Sequence, residues 1–223
     1  MIPDLENSKH ILLRCSSNSF AVASILYTYL LTQHKKVSMC GEAAQHFAFL
    51  PWYEMLRREE SSSADTFIEC DTIDVAKLYR YFKEKAVKIN KKMATSFYAA
   101  YLHRYRYCLS IECDGMVFAE LSEIIGLGAQ YKEVRQRLLC EQPLSLFRLR
   151  SYLYRDVVLE ENAECAVVSV SDAILAKTGS SLQDVEEILT EFLLIAHVKK
   201  VILQKSDDNN RIIKVLKDNE SEK

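Results

Sequence analysis

Asp71 is the residue of this chain best placed for chemistry. It follows the apolar segment of ADTFIECDTID, a pattern that predicts a β-strand over residues 66–70 with an acid just past its carboxyl end. Open α/β sheets bind their ligands beyond the carboxyl ends of the strands. Asp71 is therefore the first candidate site residue.

The turn after the first predicted strand carries no acid. Residues 10–39 have the pattern of a βαβ unit, with a strand at Ile11–Leu13, a polar turn, a helix over 19–33 and a second strand around Val37–Met39. The turn, RCSSNSFAVAS, is rich in serine instead. A serine nucleophile needs a base, and the sequence has neither a GxSxG motif nor an identifiable His or Asp partner. We interpret these serines as turn formers.

The composition is that of a folded protein with a sizeable core. Of the 223 residues, 49% are hydrophobic and 27% are charged, which excludes a disordered chain. No apolar run approaches the roughly 18–20 residues of a membrane span, and the first ten residues lack the pattern of a secretory signal. The sequence therefore predicts a cytoplasmic protein with no membrane partner.

The residue types that bind metals or form disulfides are scattered. The seven cysteines show no CxxC spacing, and the five histidines show no pairing typical of zinc sites. We interpret the cysteines as reduced structural thiols. The histidines are interpreted as surface or hydrogen-bonded residues.

The hydrophobic pattern divides the chain into three parts. An α/β part has strands at 11–14, 36–40 and 66–70, and a helical part has helices at 74–86, 90–106, 116–127, 130–139 and 143–153. The last part has a strand at Glu164–Val170, helix caps at Ser171 and Ser181, and strands at 198–204 and 211–216 joined by SDDNN. The predicted fold class is α/β, with a parallel sheet and flanking helices, a helical connector and a small α/β C-terminal domain.

The order of these segments resembles the DHH phosphoesterases, and within them the branch of oligoribonucleases and phosphoadenosine-phosphate phosphatases. The resemblance covers most of residues 10–216. It rests on HILL, SNSFAVAS, HKKVSM, FAFLPW, ADTFIECDTID, KINKKMATSFYAAYL and EIIGLGAQYKEVRQRLLCEQPLSLFRLRSYL. It implies a DHH-like α/β domain over 1–155 with a helical C-terminal half, and part of the family's substrate-binding domain over 156–223.

That family holds two manganese ions at the strand ends and uses them to activate a water for attack on phosphorus. Carried over by position, the family's ligands fall on Arg14 for a histidine, Asn18 and Phe20 for two aspartates, and Arg104 for the last aspartate. Asp71 alone matches, and the strand bearing Asp-His-His has no counterpart. The resemblance therefore implies no metal cofactor, and manganese only if the chain is active.

The C-terminal part resembles the start of the substrate-binding domain, on AVVSVSDAILAKTGSSLQDVEEILTEFLLIAHVKKVILQ. In the family, a glycine- and histidine-rich loop that grips the substrate phosphate should follow IIKVLKD, near the end of this sequence. The resemblance thus implies a shortened domain. Whether the chain is a natural full-length product stays open at this point.

A basic stretch replaces the acids that the resemblance leads one to expect. Residues 77–106 contain nine Lys or Arg and one acid, a formal charge of +8 in a chain of net charge −2. One interpretation is a solvated helix face, and the other is an anion-binding cleft in which Arg104 pairs with Asp71 or with a phosphate. The candidate residues of the cleft are Arg14, Asn18, Asp71, Arg104 and Arg106, with Tyr105 and Tyr107 available for stacking.

Three functions stay open. The sequence favours a catalytically inactive binding or interaction protein for a nucleotide, a short nucleic acid or an active paralogue, as a homo- or hetero-oligomer. The alternative is an active phosphoesterase that hydrolyses short oligonucleotides or phosphorylated nucleotides, with catalytic residues that the sequence does not identify. The third is a structural relic.

Overall fold

The computed structural model describes residues 8–59, 63–141, 143–208 and 211–217. The chain divides into two compact units, Met1–Glu141 and Gln142–Lys223. Each unit has its own sheet and its own hydrophobic core. Asn209 and Asn210 of the predicted turn lie outside the described residues.

The first unit is built on a four-stranded parallel sheet in the order β3-β2-β1-β4. Its strands are β1 (His10–Cys15), β2 (Lys36–Gly41), β3 (Leu56–Arg57) and β4 (Thr66–Glu69). The predicted parallel sheet is confirmed, and β3 is a short addition within a segment that the pattern left unassigned. Ile11, Leu12 and Leu13 are fully buried because β1 lies between two neighbours and is covered on both faces.

The described residues of the first unit also form five α-helices. They are α1 (Phe20–Thr32), α2 (Val75–Glu84), α3 (Lys91–Arg104), α4 (Gly115–Gly126) and α5 (Tyr131–Arg135). Helix α1 is apolar on nearly every side because it lies in the core, and its Ser24 hydroxyl is 2.8 Å from the Ser96 hydroxyl of α3. The helix predicted over 130–139 is α5 followed by a π-helical turn, Gln136–Cys140.

The end of α3 differs from the prediction. The helix was predicted to reach residue 106, but it ends at Arg104. Arg106, Tyr107 and Cys108 have φ of 47°, 59° and 68°, in the left-handed region that side chains with a Cβ disfavour. The helix therefore cannot continue through these residues.

The second unit has a four-stranded sheet in the order β5-β6-β7-β8. Its elements are α6 (Leu144–Asp156), β5 (Val158–Glu160), β6 (Cys165–Val170), α7 (Asp172–Thr178), α8 (Leu182–Phe192), β7 (Lys200–Lys205) and β8 (Arg211–Lys217). The central pair β6 and β7 is parallel, and both edge strands are antiparallel to their neighbours.

Both predicted helix caps of this unit are present. The Ser171 hydroxyl accepts the backbone N–H of Ile174 at 3.2 Å. Ser181 forms a reciprocal capping box with Asp184, in which each side chain accepts the other residue's backbone N–H. These contacts fix the first turns of α7 and α8.

The division between the units lies earlier than the predicted boundary between residues 155 and 156. Helix α6 falls in the second unit because its Leu149 and Leu153 pack in the second core, with Val168 and Phe192. Among the described residues, no helix combines the length and the apolar character needed to cross a membrane.

Candidate functional site at the strand ends

The carboxyl ends of β1 and β4 bring Asp71 to the first turn. The two strands are parallel neighbours, with Arg14 paired to Glu69, so the residues that follow them lie at the same edge of the sheet. The Ser16 hydroxyl donates a hydrogen bond to Oδ1 of Asp71. The sequence did not identify an acid partner for the serines, and the structure provides Asp71.

The turn itself is closed by its own serines. The backbone N–H of Ser16 donates to the Ser19 hydroxyl at 3.0 Å, and the N–H of Ser19 donates to the Ser16 carbonyl at 3.2 Å. Asn18 is exposed at the tip, and its N–H donates to the Ser16 hydroxyl at 3.4 Å. The Ser19 side chain does not cap α1, and no acid lies in the first turn of that helix. Because α1 begins directly after Ser19, the positive end of its helix dipole lies beside the turn.

Phe20 belongs to the core. It is fully buried at the start of α1, and its ring packs edge-on against Tyr53 with 5.3 Å between centroids. The position to which the resemblance carried an aspartate ligand is therefore filled by core packing.

Arg104 pairs with two other acids, and not with Asp71 as the cleft interpretation allowed. Its Nη1 lies 2.8 Å from Oε2 of Glu112, and its Nε lies 3.7 Å from Oδ2 of Asp74. Asp74 is the N-cap of α2 and also accepts the backbone N–H of Lys77. The guanidinium is about half exposed, so these ion pairs stay accessible to solvent and salt.

Arg14 is held on the edge of the sheet. Its Nη1 lies 2.8 Å from Oε1 of Glu69, and its guanidinium lies over the Phe67 ring, 4.5 Å from the centroid. Both partners belong to β4. Arg14 is therefore fixed by an ion pair and a cation–π contact.

Arg106 and Tyr107 are exposed on the left-handed turn that ends α3. Tyr105, in contrast, is 7% exposed and packs against Tyr101 with 5.8 Å between ring centroids. Tyr105 is thus a core residue. Of the two tyrosines expected to stack on a base, Tyr107 alone has an exposed side.

Two histidines that the sequence left isolated come together near this edge. His46 follows β2, and His103 immediately precedes Arg104. Their rings are 6.1 Å apart and both pack against Phe47. Burial, with the second imidazole nearby, lowers the pKa of His46 to about 4, and burial also lowers the pKa of His103. No local signal predicts this pair, because the two residues are far apart in sequence.

The residues at the strand ends do not fit a pair of manganese ions. Within the part of the chain that the structure describes, no three His, Cys, Asp or Glu side chains come together to hold a metal ion. Burial raises the pKa of Cys15 to about 12 and raises that of Cys70 as well, so these nearby thiols stay protonated and are poor ligands. Asp71, the one position that matches a ligand of the family, accepts a hydrogen bond from the Ser16 hydroxyl.

Helix α4 neutralises two of the nine cations of the basic stretch. Arg80 Nε lies 2.7 Å from Glu120, and Lys83 Nζ lies 2.7 Å from Glu123. Together with the ion pairs of Arg104, these contacts fix three of the cations between residues 77 and 106. These three cations are therefore ion-paired in the structure.

Comparison with known proteins shows the fold. No protein-family model and no curated protein sequence matches the chain. An exopolyphosphatase-related protein from Bacteroides fragilis has a similar structure, with a TM-score of 0.74, 12% identity, and 93% of this chain and 78% of that chain covered. A putative family II inorganic pyrophosphatase from Methanococcus jannaschii gives a TM-score of 0.44 at 10% identity, with 88% of this chain and 83% of that chain covered. The α/β fold implied by the resemblance to DHH phosphoesterases is confirmed at the level of fold.

Proposed function

We propose that this chain is a non-hydrolytic binding protein with a phosphoesterase-like fold, whose strand-end site takes a phosphate group of a nucleotide or a short nucleic acid. The observation that carries the proposal is the set of side chains at that edge. A hydroxyl and a guanidinium are the donors: Ser16 donates to Asp71, and Arg104 pairs with Asp74, three residues further on, whereas no three metal ligands converge among the described residues. Such donors bind phosphate directly and do not activate a water.

Three donors support a phosphate contact. The Ser16 hydroxyl and the exposed Asn18 lie in the turn that opens α1, next to the positive end of the helix. Arg104 is held by Asp74 and Glu112, and a phosphate competes with these carboxylates for the guanidinium. Because all three groups are solvent-exposed, we expect weak binding that depends strongly on salt.

The test is the affinity of a labelled dinucleotide across a salt series. We expect the logarithm of the affinity of the wild-type protein to fall by about 0.7 per contacted phosphate for each tenfold rise in salt. Arg104→Ala should weaken binding severalfold at low salt and flatten this dependence.

The matched control is Arg137→Ala. Arg137 is also an exposed arginine in an ion pair, with Glu141 at 2.7 Å. It should leave the affinity unchanged. Equal affinity of wild type and Arg104→Ala, or no binding at any salt concentration, would favour the solvated helix face instead.

An active phosphoesterase is the second candidate. It is favoured by Asp71, which keeps the strand-end position of a ligand in the family that the chain resembles, and by the likeness of fold to an exopolyphosphatase-related protein. A manganese-dependent hydrolysis assay with a dinucleotide, a phosphoadenosine phosphate and a cyclic dinucleotide separates the two candidates. We expect no turnover, and turnover that Asp71→Ala abolishes would establish the enzyme.

A further inference from the structure

The second sheet has one face turned away from its helices. Side chains of α6, α7 and α8 pack with Ala166, Val168, Val201 and Leu203 on one face. Because side chains alternate along a strand, the residues between them point to the opposite face, which we call the outer face. The outer face belongs to the second unit, whereas the proposed strand-end site belongs to the first.

An aliphatic row crosses the outer face. Val158, Val167, Ile202 and Val215 occupy one register row through all four strands. Val158 is 54% exposed and Val215 is 47% exposed, at the two edges of the row. In the centre of the row Val167 is 8% exposed and Ile202 is half-buried, so the four β-branched side chains form an apolar stripe that is open to solvent at its two ends.

The next register row of the outer face has an acidic residue at one edge of the sheet and a basic residue at the other. From β5 to β8 it consists of Glu160, Cys165, Lys200 and Lys217. Lys200 is already paired with Glu161 at 2.6 Å, whereas Glu160 and Lys217 are exposed at the two edges. The row is therefore acidic at the β5 edge and basic at the β8 edge.

The row on the other side of the stripe is polar and uncharged towards its centre. The Gln204 side chain donates to the Ser169 hydroxyl at 2.9 Å, and Ile212 continues the row at the β8 edge, 57% exposed. The outer face thus has an apolar centre, one charged margin and one uncharged margin. This is the arrangement of an interface core with a polar rim.

We propose that the outer face binds the outer face of a second copy of this chain. A two-fold axis parallel to the strands reverses the order of the strands in the facing sheet, so β5 of one copy lies opposite β8 of the other. The aliphatic row then packs on itself, Val158 against Val215. In the charged row, Glu160 of each copy faces Lys217 of the other, so both edge charges are complemented.

The opposite charges at the two edges of the charged row favour a second copy of the chain as the partner. A single acidic or basic partner would complement one edge of the charged row and repel the other. Two facing copies complement both edges without any other molecule. Sheets packed face to face in this way keep their strands within about 30° of each other, as the two-fold axis requires.

The size of the face indicates a weak dimer. Four strands of three to seven residues, about 4.8 Å apart, give a face of no more than roughly 400 Å² per copy. Two such faces bury roughly 800 Å² in total, which is below the ~1,000 Å² of a stable interface. We therefore expect a concentration-dependent dimer with a dissociation constant in the micromolar range or weaker.

The first test is sedimentation of the full chain over about 10 µM to 1 mM, a range that spans such weak affinities. The wild-type protein should dimerise, and Val215→Lys should raise the dissociation constant at least about tenfold, which corresponds to about 1.4 kcal/mol. Leu194→Lys is the control because Leu194 is also an exposed aliphatic residue of the second unit, 60% exposed and outside the sheet. Circular dichroism checks that each variant folds.

The second test identifies the two-fold pairing. Glu160→Lys places a lysine opposite Lys217, and Lys217→Glu places an acid opposite Glu160, so each variant alone should dimerise about tenfold more weakly than wild type. An equimolar mixture of the two variants restores both opposite-charge pairs and should regain dimerisation.

Each outcome decides the proposal. A wild-type protein that stays monomeric throughout the range overturns it and leaves the outer face to another partner. A dimer that Val215→Lys does not weaken, or a mixture that does not recover, also overturns it. Dinucleotide binding by Arg104 concerns the other unit, so its failure leaves this proposal unaffected.

Discussion

At the scale of single residues, Glu120 shows how part of the basic stretch is neutralised from inside the fold. It is 8% exposed, and its carboxylate accepts hydrogen bonds from Arg80 at 2.7 Å and from the Tyr101 hydroxyl at 2.9 Å. Burial together with Glu120 raises the pKa of Tyr101, so the phenol remains a donor. A buried carboxylate needs such partners, and Arg80 is therefore a structural cation.

His46 gives a prediction about pH. Its pKa is about 4 in the folded protein, below the usual 6.5, because burial and His103 disfavour the imidazolium. Between these pH values the unfolded chain binds more protons than the folded protein. The contribution of His46 to stability is therefore fully present above pH 6.5 and is lost as pH falls towards 4, on the order of 2 kcal/mol between pH 7 and pH 5.

The measurement is the free energy of unfolding in urea at pH 7 and pH 5. His46→Asn should reduce the difference between the two pH values, because it removes the titrating group. His34→Asn is the control, since His34 is exposed, and should leave the difference unchanged. Identical differences in wild type and His46→Asn would show that His46 is not held neutral.

At the scale of elements, the first sheet is buried unevenly. The sequence predicts Leu12 and Ile68 on adjacent strands that are covered on both faces, and the strands are adjacent. Strand β1 meets the prediction, but β4 is an edge strand, with Ile68 3% exposed and Phe67 46% exposed. The pattern of β4 does not reveal that one of its faces is open.

Because of this difference in burial, truncating these side chains to alanine should lower the free energy of unfolding by unequal amounts. Leu12→Ala and Ile68→Ala should each destabilise the protein by about 2–4 kcal/mol, because both leave a cavity in the core. Phe67→Ala should cost about 1 kcal/mol, since it removes a half-exposed ring and its contact with Arg14. Urea unfolding measures all three, and a near-neutral Leu12→Ala would contradict the position of β1.

At the scale of the whole molecule, the chain shares a fold with a solved structure, while no three metal-ligating side chains come together among the described residues. The fold is shared with an exopolyphosphatase-related protein at a TM-score of 0.74. Among the described residues, Asp71 is hydrogen-bonded to Ser16 at the strand ends, and Arg104 at the end of α3 is paired with Asp74 and Glu112. A shared fold does not by itself imply a shared chemistry.

The corresponding prediction concerns manganese. A protein that binds an ion only when folded gains stability as the ion concentration rises above the dissociation constant. We expect no change in Tm with added manganese and no stoichiometric manganese after dialysis, because a single carboxylate binds divalent ions weakly. Two equivalents of manganese by elemental analysis, or a raised Tm that Asp71→Ala abolishes, would contradict this expectation.

The sequence by itself determined the features that depend on neighbouring residues. Apolar periodicity located β1, β2, β4 and most helices, and the capping residues Ser171 and Ser181 marked two helix starts. Asp71 was placed at a strand end for the same reason, because a strand and its end are local in the chain.

Only the tertiary structure decided which distant groups meet. The pairing of Arg104 with Glu112 depends on how the chain turns after α3, and the contact of Ser16 with Asp71 depends on β1 and β4 being neighbours. The His46–His103 pair likewise joins the end of β2 to the end of α3. Packing, and not sequence spacing, sets these distances, so the partners of a charged or polar side chain could not be read from the sequence.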